Sequence, residues 1–97
     1  MRVDKTETFA EWLRKLKDRH AKAVILVHID RMEEGNVGKT ESVGGGVYEK
    51  KIEYGPGYRL YFCHRGKELI VLLCGGDKSS QQDDIERAKA IKKEVFQ

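Results

Sequence analysis

Over the first third of the chain the apolar residues recur at helical spacing. Phe9, Trp12, Leu13 and Leu16 stand three and four apart, which places them on one face of a helix. Thr8-Phe9-Ala10-Glu11 has the form of a capping box for its start, with the Thr8 hydroxyl and the Glu11 carboxylate each satisfying an orphan N–H. Asp18 opens a second helix, in which Ala21, Val24, Ile25, Ile29 and Met32 keep the period. The run Ala23–Val27 by itself also suits a buried strand. Met32, which extends the period, and Glu34-Gly35-Asn36, which resembles a terminating glycine, favour the helix. An amphipathic hairpin joined near Asp18 needs a sheet to lie on.

Residues 35–46 hold five glycines and no periodicity, which predicts a loop. The period then changes to two. In Val47–Tyr54, Tyr48, Ile52 and Tyr54 share one face and Glu49, Lys51 and Glu53 the other, with Lys50 interrupting the apolar side. Gly55-Pro56-Gly57 predicts a turn. Tyr58–His64 alternates again, with Tyr58, Leu60 and Phe62 opposite Arg59, Tyr61 and Cys63, and Arg65-Gly66 turns the chain once more. Leu69–Cys74 is continuously apolar, as a central strand covered on both faces would be. After Gly75-Gly76-Asp77, Ser79 or Ser80 caps a final helix. Ile85, Ala88, Ile91 and Val95 face inward on it, and Asp83, Asp84 and Glu86 occupy its favourable first turn. The predicted fold class is α+β: two N-terminal helices packed on a twisted antiparallel sheet of three to four strands, plus a C-terminal helix. The fourth strand would lie within residues 1–6. The helices are expected on one sheet face, leaving the other partly open.

The length of 97 residues gives one domain, 1–97. Nineteen basic residues against 16 acidic ones leave a net charge of +3, which permits nucleic-acid binding without requiring it. The longest apolar run is far short of the ~20 residues of a membrane span, and Met1-Arg2-Val3-Asp4-Lys5 has no signal-like apolar stretch. A cytoplasmic protein without a membrane partner is expected. Cys63 and Cys74 sit in strand interiors and read as small hydrophobes. Their spacing matches no zinc pattern, even with His64 and Asp77 added. His20, His28 and His64 likewise show no metal-site spacing.

Glu33-Glu34-Gly35-Asn36-Val37-Gly38-Lys39-Thr40 comes within one residue of a nucleotide-binding phosphate loop, with Glu33 where glycine is needed. That chemistry needs a helix starting at the Lys-Thr pair. Glu41-Ser42-Val43 and three glycines follow instead, so nucleotide hydrolysis is rejected.

Strand alternation makes a sharper prediction. Arg59, Tyr61 and Cys63 point away from the helices, and Glu49 and Lys51 emerge on that same side of the preceding strand. Lys78 overhangs the end of the apolar strand. Lys51, Arg59 and Lys78 would form a cationic cluster, with Tyr61 as a stacking platform and Glu49 as partner or base. Arginine suits a bidentate hold on phosphate, and aromatics among cations suit single-stranded nucleic acid. Charged residues on an exposed strand are also ordinary solvated surface. Residues 14–22 hold five basic residues, Arg14, Lys15, Lys17, Arg19 and Lys22, against Asp18 alone. The run suits an RNA backbone or the wet face of a hairpin equally.

Gly55-Pro56-Gly57-Tyr58-Arg59-Leu60-Tyr61-Phe62 and Leu72-Leu73-Cys74-Gly75-Gly76-Asp77-Lys78-Ser79-Ser80-Gln81, with Asp84-Ile85 and Ala88 beyond, resemble the RelE/ParE toxin superfamily. The nearest branch is the phage-related, HigB-like addiction module killer proteins. Phe9, Trp12-Leu13, Gly35-Asn36-Val37-Gly38 and Gly46-Val47-Tyr48-Glu49 agree with it, so the likeness spans nearly the whole chain.

The resemblance implies the toxin of a type II toxin–antitoxin module that cleaves mRNA in the ribosomal decoding site, with no cofactor and no metal. The implied partners are the ribosome, mRNA and a cognate helix-turn-helix antitoxin, with operator DNA reached only through the antitoxin. Apolar surface left uncovered is where the antitoxin is expected to dock. Arg59 matches the family's central-strand arginine and Lys78 its basic position after the last strand. Lys51 departs from the arginine usual in this branch. No histidine or C-terminal tyrosine of the kind some relatives use for proton transfer is evident in this chain, which ends Glu94-Val95-Phe96-Gln97. A ParE-like gyrase inhibitor, or a degenerate toxin that only binds its antitoxin, are the other readings the superfamily implies.

Overall fold

The N-terminal hairpin forms as the apolar period requires. In the computed structural model, which describes residues 1–96, helix α1 spans Glu7–Lys15 and helix α2 Arg19–Glu33. Asp18 caps α2 as expected, its carboxylate accepting from the His20 and Ala21 backbone N–H groups. The cap of α1 lies two residues earlier than the capping box suggested. Thr6 accepts from the Phe9 N–H, while Thr8 lies inside the helix and Glu11 pairs with Lys15 at 2.8 Å. Thr6 wins because its hydroxyl also donates to the Leu73 carbonyl at 2.7 Å, tying the helix start to the sheet.

The sheet has five strands: β1 (Arg2–Lys5), β2 (Thr40–Gly44), β3 (Val47–Ile52), β4 (Tyr58–Arg65) and β5 (Leu69–Gly76), ordered β1-β5-β4-β3-β2. It is mixed rather than antiparallel, because the short N-terminal strand runs parallel to β5. β2 corrects the predicted glycine loop. Thr40-Glu41-Ser42-Val43 has one apolar residue, so no alternation marks it, and its hairpin with β3 depends on Gly44, Gly45 and Gly46, all with positive φ. Thr40 therefore opens a strand and not a helix, in keeping with the rejected phosphate loop.

The largest correction concerns helix α3 (Gln81–Val95), which packs on the opposite sheet face from α1 and α2. One core joins Phe9, Ile25, Met32, Ile52, Tyr58, Leu60, Phe62 and Leu72. The other joins Val47, Tyr61, Cys63, Val71, Leu73, Cys74 and Ala88. β5 contributes to both, which is why its apolar run is unbroken. The face expected to be open is therefore covered over much of its area. Val95 stays exposed at the end of α3, whereas Ile85 and Ile91 are half-buried and Ala88 fully buried.

The close of β5 holds the layers together. A Cβ on Gly75 would strike the Trp12 ring, and one on Gly76 would strike the Asp84 carboxylate. Two glycines let an α1 aromatic and an α3 acid approach the same strand end from opposite faces.

Candidate nucleic-acid interface

Three cations from separate segments do meet. Lys51 and Arg59 are direct cross-strand partners in the β3–β4 ladder, so their Cβ atoms lie about 4.5–5.5 Å apart on one face. Arg59 Nη1 donates to the Gly57 carbonyl at 3.1 Å. A Cβ built on Gly57 would have Arg59 Nη1 at 3.8 Å and Lys78 Cβ at 3.9 Å as its neighbours, which brings Lys78 beside the same turn. Lys51 and Lys78 are exposed, and neither makes an ion pair among the described residues. The cluster is a rim where β4 begins and β5 ends, beside the 3-10 turn Lys78–Ser80 that leads into α3.

Arg59 itself is only 7% exposed. Its Nε lies 3.6 Å from Glu49 Oε2, close enough for charge compensation but too long for a hydrogen bond, so the buried Nε–H has no acceptor among the described residues. Glu49 is 2% exposed, and its Oε2 also accepts from the Tyr61 hydroxyl at 3.1 Å and from Gln81 Nε2 at 2.7 Å. Glu49 is thus a buried anchor that orients Arg59 and ties α3 to β3. Tyr61 is fully buried among Val47, Cys63, Leu73 and Ala88, so it offers no ring face to a base. Burial first, then the Glu49 charge and hydrogen bond, push its phenol far above the usual value. The alternation that put Tyr61 beside Arg59 was right; the assumption that nothing covered that face was not.

Asp77 borders the rim. Its carboxylate accepts from the Ser79 hydroxyl at 2.5 Å and the Ser79 N–H at 2.8 Å. These bonds, helped by the Arg59 charge, hold it below the usual carboxylate range. Next to it, Asp84 is buried, accepting from Ser80 Oγ at 2.6 Å and pairing with Arg87 at 3.1 Å. Nothing in the alternation of the sequence marked Asp84 for burial; the adjacent glycines at the end of β5 were the only sign of a close approach.

The basic run Lys15, Lys17, Arg19 and Lys22 is not part of this cluster. It belongs to the α1–α2 layer, on the other sheet face, where Lys15 pairs with Glu11 and Lys22 Nζ donates to the Arg14 carbonyl. It flanks the same end of the sheet, since Tyr54 in the β3–β4 turn donates to Asp18. Cys63 and Cys74 are free and buried, as their strand positions implied. Among the described residues no group of three or more His, Cys, Asp or Glu is arranged for a metal ion, and no helix is long and apolar enough to cross a membrane.

The family described as "Phage derived protein Gp49-like (DUF891)" matches residues 11–95. An uncharacterized protein of Haemophilus influenzae is 44% identical over 95 residues, 98% of this chain and 96% of its own length. Among solved structures, a double arginine-to-alanine mutant of the Escherichia coli toxin RelE in its free state superposes with a TM-score of 0.66. It shares 20% identity and covers 93% of this chain and 96% of its own. At that identity the likeness is one of fold.

Proposed function

Because the chain belongs to the phage-derived Gp49-like family and has a RelE-like fold, we propose that it is the toxin of a type II toxin–antitoxin module acting as a ribosome-dependent mRNA endonuclease. The observation that carries this reading is the cross-strand pairing of Lys51 with Arg59 beside Lys78. In the proposed reaction an mRNA 2′-hydroxyl attacks the adjacent phosphate. The P–O5′ bond breaks, leaving a 2′,3′-cyclic phosphate on one fragment and a 5′-hydroxyl on the other. Negative charge grows on the phosphate oxygens, and cations already in place there lower the barrier. Lys51 and Lys78 are the exposed contacts, while Arg59 supplies a fixed positive field. Glu49, already holding Tyr61 and Gln81, acts as a positioning residue and not as a base.

The partners that go with this reading are the ribosome, mRNA and a cognate antitoxin. Leu26 and Val27, exposed on α2, are apolar surface of the kind an antitoxin would cover.

The burial of Arg59 gives weight to a second reading, a toxin that binds its target or its antitoxin without cleaving RNA, as a gyrase inhibitor would. The test is to induce the protein in bacteria, map 5′-hydroxyl mRNA ends and follow DNA supercoiling. Codon-phased cuts that weaken sharply in Lys78→Ala, a change at an exposed residue, establish the nuclease. Relaxed plasmid with intact mRNA establishes gyrase inhibition. Normal growth with folded protein establishes the inert form.

A further inference from the structure

Along the edge of β3, where residues of both its faces reach it, a cavity of about 560 Å³ opens between α2, residues 36–39 and the β2–β3 pair. Its walls carry five basic residues, His28 and Arg31 from α2, Lys39, and Lys50 and Lys51 from β3, with Thr40 among them. Val24 and Ile52 supply apolar surface. Three acids, Glu41, Glu49 and Glu53, also border the cavity, but Glu49 pairs with Arg59 and none of the three pairs with a basic group of the lining.

Lys50 is the centre of this arrangement. It interrupts the apolar face of its strand and is 6% exposed, yet its only side-chain hydrogen bond among the described residues is from Nζ to the Val37 carbonyl at 2.8 Å. An ammonium has three donors, so two are left over. The chain is shaped around it. Gly38 has a φ of +68°, and a Cβ there would lie 2.9 Å from Lys50 Nζ. β2 also stops pairing with β3 at Thr40↔Lys50, which leaves the Lys51–Glu53 edge open to the cavity. Burying a cation without a counter-charge is costly. Here further basic groups gather around the buried one, and no acid pairs with it among the described residues.

We propose that this cavity binds a phosphate group, carried by a free nucleotide or presented by a single-stranded RNA. Arg31 offers a planar fork for two phosphate oxygens. Lys50 offers a point charge from below, and His28 and Thr40 complete the donors. The volume falls within the range of small-molecule sites. This inference is distinct from the cleavage reading: the groups it uses, Arg31, Lys50, His28 and Thr40, are not rim residues, although Glu49 and Lys51 also border the cavity. His28 carries a built-in reporter. Burial, then Lys50 and Arg31, hold its imidazole below the ordinary histidine value. The charged groups around the cavity are Arg31 on α2, Lys39 in the loop, Glu41 on β2, and Glu49, Lys50, Lys51 and Glu53 on or beside β3. A bound dianion opposes the field of the cations, so the His28 pKa rises on binding.

The test is an NMR titration of the full chain with inorganic phosphate, adenosine 5′-monophosphate and a single-stranded RNA hexamer. The expected result is saturable shifts at His28, Gly38, Lys39 and Lys50 and a raised His28 pKa, with affinity at least tenfold weaker in Arg31→Glu. Arg31 is exposed, so that variant keeps its fold even if Lys50→Met does not. Saturation by phosphate or the nucleotide identifies a free ligand, and saturation by RNA alone identifies a strand phosphate; both uphold the site. Shifts absent with all three probes, or unchanged in Arg31→Glu, overturn it.

Discussion

Glu49 and Arg59 face each other diagonally across the β3–β4 pair, Oε2 to Nε at 3.6 Å, with both side chains removed from water. The same carboxylate oxygen receives Tyr61 and Gln81. The guanidinium at the centre of the cationic rim is therefore set by a buried acid, and its position is a property of the core as much as of the surface.

Neutralising one member leaves the other buried and unpaired. Glu49→Gln should lower stability by about 3–5 kcal/mol, the usual consequence of breaking a buried ion pair from one side. The double variant Glu49→Gln/Arg59→Met should recover much of that loss, since it buries no charge at this point. Urea denaturation of the three proteins checks this. Equal destabilisation in the single and double variants would refute the pairing.

The two glycines closing β5 predict an asymmetry. Neither has positive φ, so alanine is acceptable to the backbone and only the neighbours object. Trp12 is half-buried and has room to retreat. Asp84 is buried and held by Ser80 and Arg87. Gly76→Ala should cost about 2–3 kcal/mol and Gly75→Ala less, compared as shifts of the urea midpoint.

Lys78 and Lys51 are exposed and support no packing, so their removal separates chemistry from folding. Lys78→Ala and Lys51→Ala should each slow mRNA cleavage on the order of tenfold to a hundredfold, as loss of one charge-stabilising group does. Melting temperatures should stay unchanged. Loss of cleavage together with loss of folded protein would remove the distinction.

Strand alternation located the rim because it depends only on period two. Arg59 and Lys51 fell on one face whatever lay above them. What alternation cannot say is which helix covers which face. Tyr61 looked like a platform because α3 was expected beside α1 and α2. The unbroken apolar run of β5 already required cover on both sides, and α3 was the element left to provide it. β2 escaped notice for another reason: an edge strand with one half-buried valine, followed at once by glycines, has almost no apolar pattern to detect. Lys50 stood out as an interruption, but its partner is a backbone carbonyl 13 residues away, created by a glycine turn that periodicity does not describe.

Cys74 predicts how the protein responds to alkali. It lies under α3 with its Sγ 3.5 Å from the Asp84 carbonyl, and burial pushes its thiol up to about 11 from 9.0. Between those values the unfolded chain has given up a proton that the folded chain still holds. Stability therefore falls as pH rises through this window, by an amount on the order of 2–3 kcal/mol once both values are passed. Cys63 and Tyr61 are raised as well and act in the same direction. Lys50 opposes them: burial lowers its pKa, so below 10.5 the folded chain releases that proton first and gains stability with rising pH. The Cys74 contribution is isolated by comparing the native protein with Cys74→Ala between pH 8.5 and 11. Cys74→Ala should be somewhat less stable at pH 8.5 through lost packing, and its urea midpoint should fall less steeply with pH. Parallel curves for the two proteins would mean that the thiol ionises as easily in the fold as outside it.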